Sequence, residues 1–105
     1  DIDAEIDQGI GGRAGFAVGE KMWQLGRNHQ VMCVTHLPQL AAFGDEYYQV
    51  SKQISGDRTL TRVVKLGEDE RVHELAQMAG NTGETNIKAA REVLNRAQEK
   101  QVVTS

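Results

Sequence analysis

An α/β fold is predicted by three features of this 105-residue sequence. A helix-period pattern leads at once into a short, wholly apolar run. Two strand-like segments, the second alternating, flank a glycine-containing turn. Two more helical patterns close the chain. The resulting order is acidic stretch, helix, buried strand, short helix, hairpin and two helices, which is the order of the end of an α/β domain.

The first helix is expected over residues 13–28. Ala14, Val18, Met22 and Leu25 recur at helical spacing, and Phe16, Ala17 and Trp23 widen the stripe. Gly15, Gly19 and Gly26 each weaken such a helix by about 1 kcal/mol against alanine. Gly15 and Gly19 stand four apart, so a neighbouring element can pack closely there. In "QVMCVTH" the run from Val31 to Val34 has no polar face, which suits a parallel strand covered on both sides. Val34 is therefore expected in a sheet interior, beside any strand formed by residues 1–6.

"LPQLAAFGD" reads as a short helix, with Pro38 in its first turn and Gly44 as its stop. "EYYQVSKQI" reads as a strand and "SGD" as a turn, and "TLTRVVKL", alternating and rich in β-branched residues, reads as a second strand that pairs with the first as a hairpin and ends at Gly67. A helix follows over residues 68–79, with Val72, Leu75, Ala76 and Ala79 inward. "GNTGET" breaks it, and Thr82 or Thr85 is the expected cap of the last helix. That helix runs to about residue 100, with Ile87, Ala90, Leu94 and Ala97 on one side and a frayed "QVVTS" tail.

Length and composition bound the function. The chain is one domain or a piece of one, with 39% apolar and 26% charged residues. Its formal net charge of −3 argues against autonomous nucleic-acid binding. A single cysteine, Cys33, permits no internal disulfide and suits a reducing compartment. No apolar run reaches the roughly 20 residues that span a membrane, and the first residues have no signal-peptide pattern. The expected location is the cytoplasm.

Three constellations could carry chemistry. "GIGGRA" fits a dinucleotide loop only weakly. Acids stand where its leading strand should be apolar, and Thr35 and His36 end the next strand where an acid is wanted. His29, Cys33 and His36 lie at metal-like spacings, but on a strand odd and even positions face opposite ways. Cys33 then reads as a small core residue and His29 as a solvated helix end. The third constellation joins "EIDQGIGG" to "VTH". Phosphoryl-transfer sites place an acid at a strand's C-terminal end to orient water, and an adjacent strand can offer a polar contact to a phosphate. Glu5 and His36 suit those roles if their strands are neighbours. Spacing alone favours the plainer reading, in which Glu5 and Asp7 are a solvated turn and His36 caps a helix.

The stretch "EIDQGIGGRAGFAVGEKMWQLGRNHQVMCVTHLPQLAAFGDEYYQVSK" closely resembles the C-terminal ATPase segment of the RecN family, in the SMC-like branch of the ABC ATPases. The family pattern is an apolar strand, D-E-V/I-D-x-G-I/L-G-G, a helix, and a strand ending in C-V/I-T-H-L-P-Q. "TLTRVVKLGEDERVHELAQMAG" also looks like that family. The resemblance implies a partial P-loop NTPase fold: residues 1–105 as a single fragment of the C-terminal lobe of an ABC-type head, mainly parallel strands with helices, a β-hairpin and two C-terminal helices.

The resemblance also implies roles. Glu5 corresponds to the Walker B glutamate that activates water, and His36 to the switch histidine at the γ-phosphate. Asp7, Gly9, Gly11 and Gly12 correspond to the D-loop, which crosses to a second head in an ATP-sandwiched dimer. Gln39 falls in the "THLPQ" motif and receives no catalytic role. Ala4 stands where the Walker B aspartate is expected, and Asp3, one residue away, faces the other side of a strand. No metal ligand is therefore assigned. A phosphate loop of the form G-x-x-x-x-G-K-S/T and an S-G-G-E-like signature are both missing from the 105 residues.

The implied cofactors are ATP and Mg²⁺ in an intact parent, with none expected for the fragment alone. The implied partners are the N-terminal lobe of the same parent chain, a second head, and DNA through the parent, with no membrane. The implied process is recombinational repair of double-strand breaks. The alternative is a non-catalytic interaction or regulatory domain derived from such an ATPase.

Overall fold

The structure is a computed structural model. It describes residues 2–5 and 11–104, with side chains described from residue 11 to 102. In chain order the elements are β1 (Ile2–Glu5), α1 (Gly12–Leu25), β2 (Val31–Val34), α2 (Pro38–Ala41), β3 (Tyr48–Ser55), β4 (Arg58–Lys65), α3 (Glu68–Met78) and α4 (Glu84–Thr104). The fold is mixed helix and strand. β1 pairs with β2 in parallel, and β3 pairs with β4 as an antiparallel hairpin.

The core is built by the helices. Phe16 and Trp23 from α1, Leu40 to Phe43 from α2 and its end, Val72, Leu75 and Ala76 from α3, and Ala90, Leu94 and Ala97 from α4 are buried together. Leu75, Ala76 and Ala97 are wholly inaccessible. Alanines at these positions let the helix axes approach, so a four-residue α2 can be enclosed by longer helices.

α1 meets α2 along one face. A methyl built on Gly19 would lie 2.6 Å from Phe43 Cδ2 and 3.2 Å from both the Cα and the carbonyl oxygen of Leu40. The Phe16 and Phe43 rings pack edge to face with centroids 4.8 Å apart. Farther along, Trp23 Nε1 donates to Asp45 at 3.2 Å. Arg27 pairs with the same carboxylate at 2.8 Å and lies over the Trp23 ring at 4.2 Å.

Two long side chains close the C-terminal end of α2. Arg71 Nη2 donates to the carbonyls of Ala42 and Gly44, and Gln101 Nε2 donates to that of Phe43 at 3.0 Å. Carbonyls with no helical partner are thereby satisfied from α3 and α4. α3 itself opens with Glu68, Asp69 and Glu70, whose charge suits a helix N-terminus. Glu70 Oε1 also accepts the Gly67 N–H at 3.0 Å. In the hairpin Ser55 pairs with Arg58, leaving a two-residue turn. Gly56 has φ 66° and Asp57 does not have positive φ, the pattern of a II′ turn.

Several expectations are corrected. The buried face of α1 is Gly15, Phe16, Gly19 and Trp23, whereas Ala14 and Leu25 are exposed. Gly19 lies on the buried face because α2 and its end occupy the space a side chain would take. β2 does lie beside β1, but it is not covered on both sides. Val31 and Cys33 are half-buried, while Met32 and Val34 are 62% and 63% exposed. Ala79 caps the end of α3 and is exposed. Thr85 lies inside α4, and the turn before it is held by Asn81 Oδ1, which accepts the Gly83 N–H at 2.9 Å. α4 continues to Thr104 instead of fraying near residue 100.

Three outcomes follow from this packing. Gly19→Ala should lower the urea midpoint. Overpacking against the Leu40 backbone costs about 1–3 kcal/mol, more than the roughly 1 kcal/mol that alanine adds to helix propensity. Val34→Asp should leave the melting of the 105-residue chain nearly unchanged, within about 0.5 kcal/mol, because the side chain already meets water.

The third outcome concerns alkaline pH. Burial, with help from the Glu74 carboxylate, pushes the Tyr47 hydroxyl well above its ordinary range. That hydroxyl donates to Met78 Sδ at 3.5 Å. The unfolded tyrosine loses its proton near pH ~10, while the folded one keeps it. Stability is therefore complete below pH ~10 and falls as pH rises toward the elevated folded value. Tyr47→Phe should flatten that fall in denaturant titrations between pH 9 and pH 11.

Candidate functional site

The site begins with strand register. In β1 and β2 the pairs are Ile2 with Val31, Asp3 with Met32, Ala4 with Cys33 and Glu5 with Val34. The strands run in parallel and end level. Neighbouring strands lie about 4.8 Å apart. The Glu5 end of β1 and the Thr35–His36 segment after β2 thus emerge at the same sheet edge. This edge, beyond the carboxyl ends of parallel strands, is where open α/β sheets bind ligands.

The turn after β2 is braced by its own side chain. Thr35 Oγ1 accepts the Leu37 N–H at 3.0 Å. Leu37 is the N-cap of α2, and Pro38 fixes φ at the first helical position. His36 is exposed between Thr35 and Leu37. The connection from strand to helix is therefore short and stiff, and His36 is carried on it.

Gly11 and Gly12 open α1 on the other side of the site. Gly11 is its N-cap, with extended backbone at φ −84° and ψ 175°. A Cβ on Gly11 would meet nothing within 4 Å. A Cβ on Gly12 would meet Gln39 Nε2 at 3.1 Å, Cδ at 3.3 Å and Cγ at 3.7 Å. Neither glycine has positive φ. Asp7 and Gly9 lie outside the described residues, as does the Glu5 side chain.

Among the described residues no group of three or more His, Cys, Asp or Glu side chains could hold a metal ion. His29 is exposed just past α1, and Cys33 is half-buried on the opposite strand face from Val34. Tested against Mg-ATP, the chain's donor set fits in part. It offers an acid at the end of β1 and an imidazole at the same edge, but no loop that would grip the β- and γ-phosphates. The contact of Gln39 with Gly12 was not legible in the sequence, because 26 residues separate them from Arg13 to Pro38. A long polar side chain in a motif next to a glycine loop is the only hint the sequence offers.

The sheet edge, the glycine-opened helix and the braced histidine turn belong to a segment of mixed helix and strand, and comparisons with known proteins show its family. The relatives are each named DNA repair protein RecN. The chain is 46% identical to the one from Deinococcus radiodurans over 91 residues, which is 86% of this chain and 16% of that protein. It is 36% identical to the Bacillus subtilis protein over 97 residues, 90% of this chain and 17% of the other. The Vibrio cholerae protein is 39% identical over 92 residues, again 86% and 17%. No family model matches the chain. The chain is a RecN-like segment, and it spans about a sixth of the length of the curated relatives it matches.

Proposed function

We propose that the chain is part of the C-terminal lobe of an ABC-type, SMC-like ATPase head, in a cytoplasmic protein that acts in recombinational repair of DNA double-strand breaks. The observation that carries this reading is the parallel register of β1 and β2, which brings the Glu5 end and His36 to one edge. Glu5 would orient and deprotonate a water there. His36 would donate a hydrogen bond to phosphoryl oxygen as charge develops on it. The triphosphate, with Mg²⁺, supplies the bond that is broken, and its phosphate grip comes from elsewhere in the parent. Asp7, Gly9, Gly11 and Gly12 would form the loop that meets a second head.

The exposed apolar surfaces support a further lobe of the same parent chain as a partner. Parallel sheets occur almost only with both faces covered, yet Met32 and Val34 face water. Val50, Ile54 and Val63 are also exposed, on one face of the hairpin. DNA would be engaged by the intact parent. No helix among the described residues is long and apolar enough to cross a membrane. Ala4 favours a second reading, a non-catalytic interaction or regulatory domain derived from such an ATPase, since the acid expected beside Glu5 is missing.

The test is single-turnover hydrolysis at saturating ATP in the intact parent carrying Ala4→Asp. Glu5→Gln should slow turnover by about 10² or more while ATP binding survives. His36→Ala should also slow it, and the two losses should be less than multiplicative. The 105-residue chain alone should show no Mg-ATP binding by isothermal titration. Full turnover by Glu5→Gln would move the interaction-domain reading ahead.

A further inference from the structure

We propose that Gln39 is a positioning residue, which couples the Gly11–Gly12 start of α1 to the turn that carries His36. The inference rests on the catalytic reading of that sheet edge. Three consecutive side-chain atoms of Gln39 lie at 3.1, 3.3 and 3.7 Å from the place of a Gly12 Cβ. The side chain therefore lies along the first residue of α1. Gly12 does not have positive φ, so its backbone does not demand glycine. A methyl there would make the Gln39 side chain give by a few tenths of an ångström, and open space at Gly11 makes the contrast.

The contact has leverage because its surroundings are rigid. Gln39 is the second residue of α2, three positions after His36. Pro38 and the Thr35–Leu37 hydrogen bond stiffen the intervening turn. Below the contact, Phe16 against Phe43 and Gly19 against Leu40 fix the two helices together. Close-packed interfaces transmit displacement instead of absorbing it. A shift at the Gly11–Gly12 end of α1 can then reach His36 through Gln39, and the reverse also holds. Spacing does this work, so shape matters more than the amide.

The first measurement is on the 105-residue chain, by NMR of the His36 ring. Gly12→Ala should move the His36 resonances although the two residues are far apart in sequence. In a Gln39→Ala background the same change should no longer move them, because the methyl then enters vacated space. An equal shift in both backgrounds, or none in either, overturns the coupling.

The second measurement is steady-state hydrolysis in the intact parent carrying Ala4→Asp. Gln39→Ala should lower kcat by up to about 10²-fold, the scale of a small misplacement near a reacting centre, with KM for ATP unchanged. Gln39→Met, of similar length, should stay near the starting rate. If Glu5→Gln is slow and Gln39→Ala is not, the coupling alone is wrong. If Glu5→Gln turns over at the full rate, the catalytic reading falls, and this inference falls with it.

Discussion

The close approach of α1 to α2 is the constraint on which the rest depends. Gly19 leaves room for the Leu40 backbone and the Phe43 ring, and no other residue could do so without moving one of them. Once that seam forms, Phe43 is pinned beneath Phe16. The segment beyond it is held to α1 by Asp45, through Trp23 and Arg27. α2 has only four residues and would not persist alone. It is a helix because its side chains are enclosed and its end is satisfied from outside.

That outside help makes the helical layer cooperative. Arg71 from α3 and Gln101 from α4 reach the same short stretch of carbonyls, from Ala42 to Gly44. Each bond replaces one that water would have made, so the net gain is about 1 kcal/mol apiece, somewhat more for the charged donor. Their larger effect is geometric. α3 and α4 are registered against the end of α2, and Arg96 of α4 lies 4.6 Å over the Phe16 ring of α1. Arg71 Nε is buried without a partner among the described residues, which indicates that guanidinium placement there is set by the two carbonyls.

The strands stand apart from this core. No β3 or β4 residue is fully buried, and the outward face of β2 meets water. Sheets acquire their second covering layer from distant parts of a chain, whereas adjacent helices can bury each other locally. The candidate site sits at the junction of the two regimes, with its histidine turn anchored by the helical seam and level with the Glu5 end of β1.

The sequence by itself determined the order of elements, the hairpin and its turn, the inward residues of α3 and α4 apart from Ala79, and the pairing of "DQGIGG" with "VTHLPQ" as a family resemblance. These are local patterns, set by period, turn chemistry and residue type. Only the tertiary structure decided which face of α1 is buried. The apolar stripe of Ala14, Val18, Met22 and Leu25 was the stronger sequence signal, but Gly19 faces α2 because close approach rewards a missing side chain, which no hydrophobic period records. Burial of Val34 likewise depended on what covers the sheet, so an apolar run could not settle it. The contact of Gln39 with Gly12 joins positions far apart in the chain, and it exists only because the α1–α2 seam brings the two helix starts together.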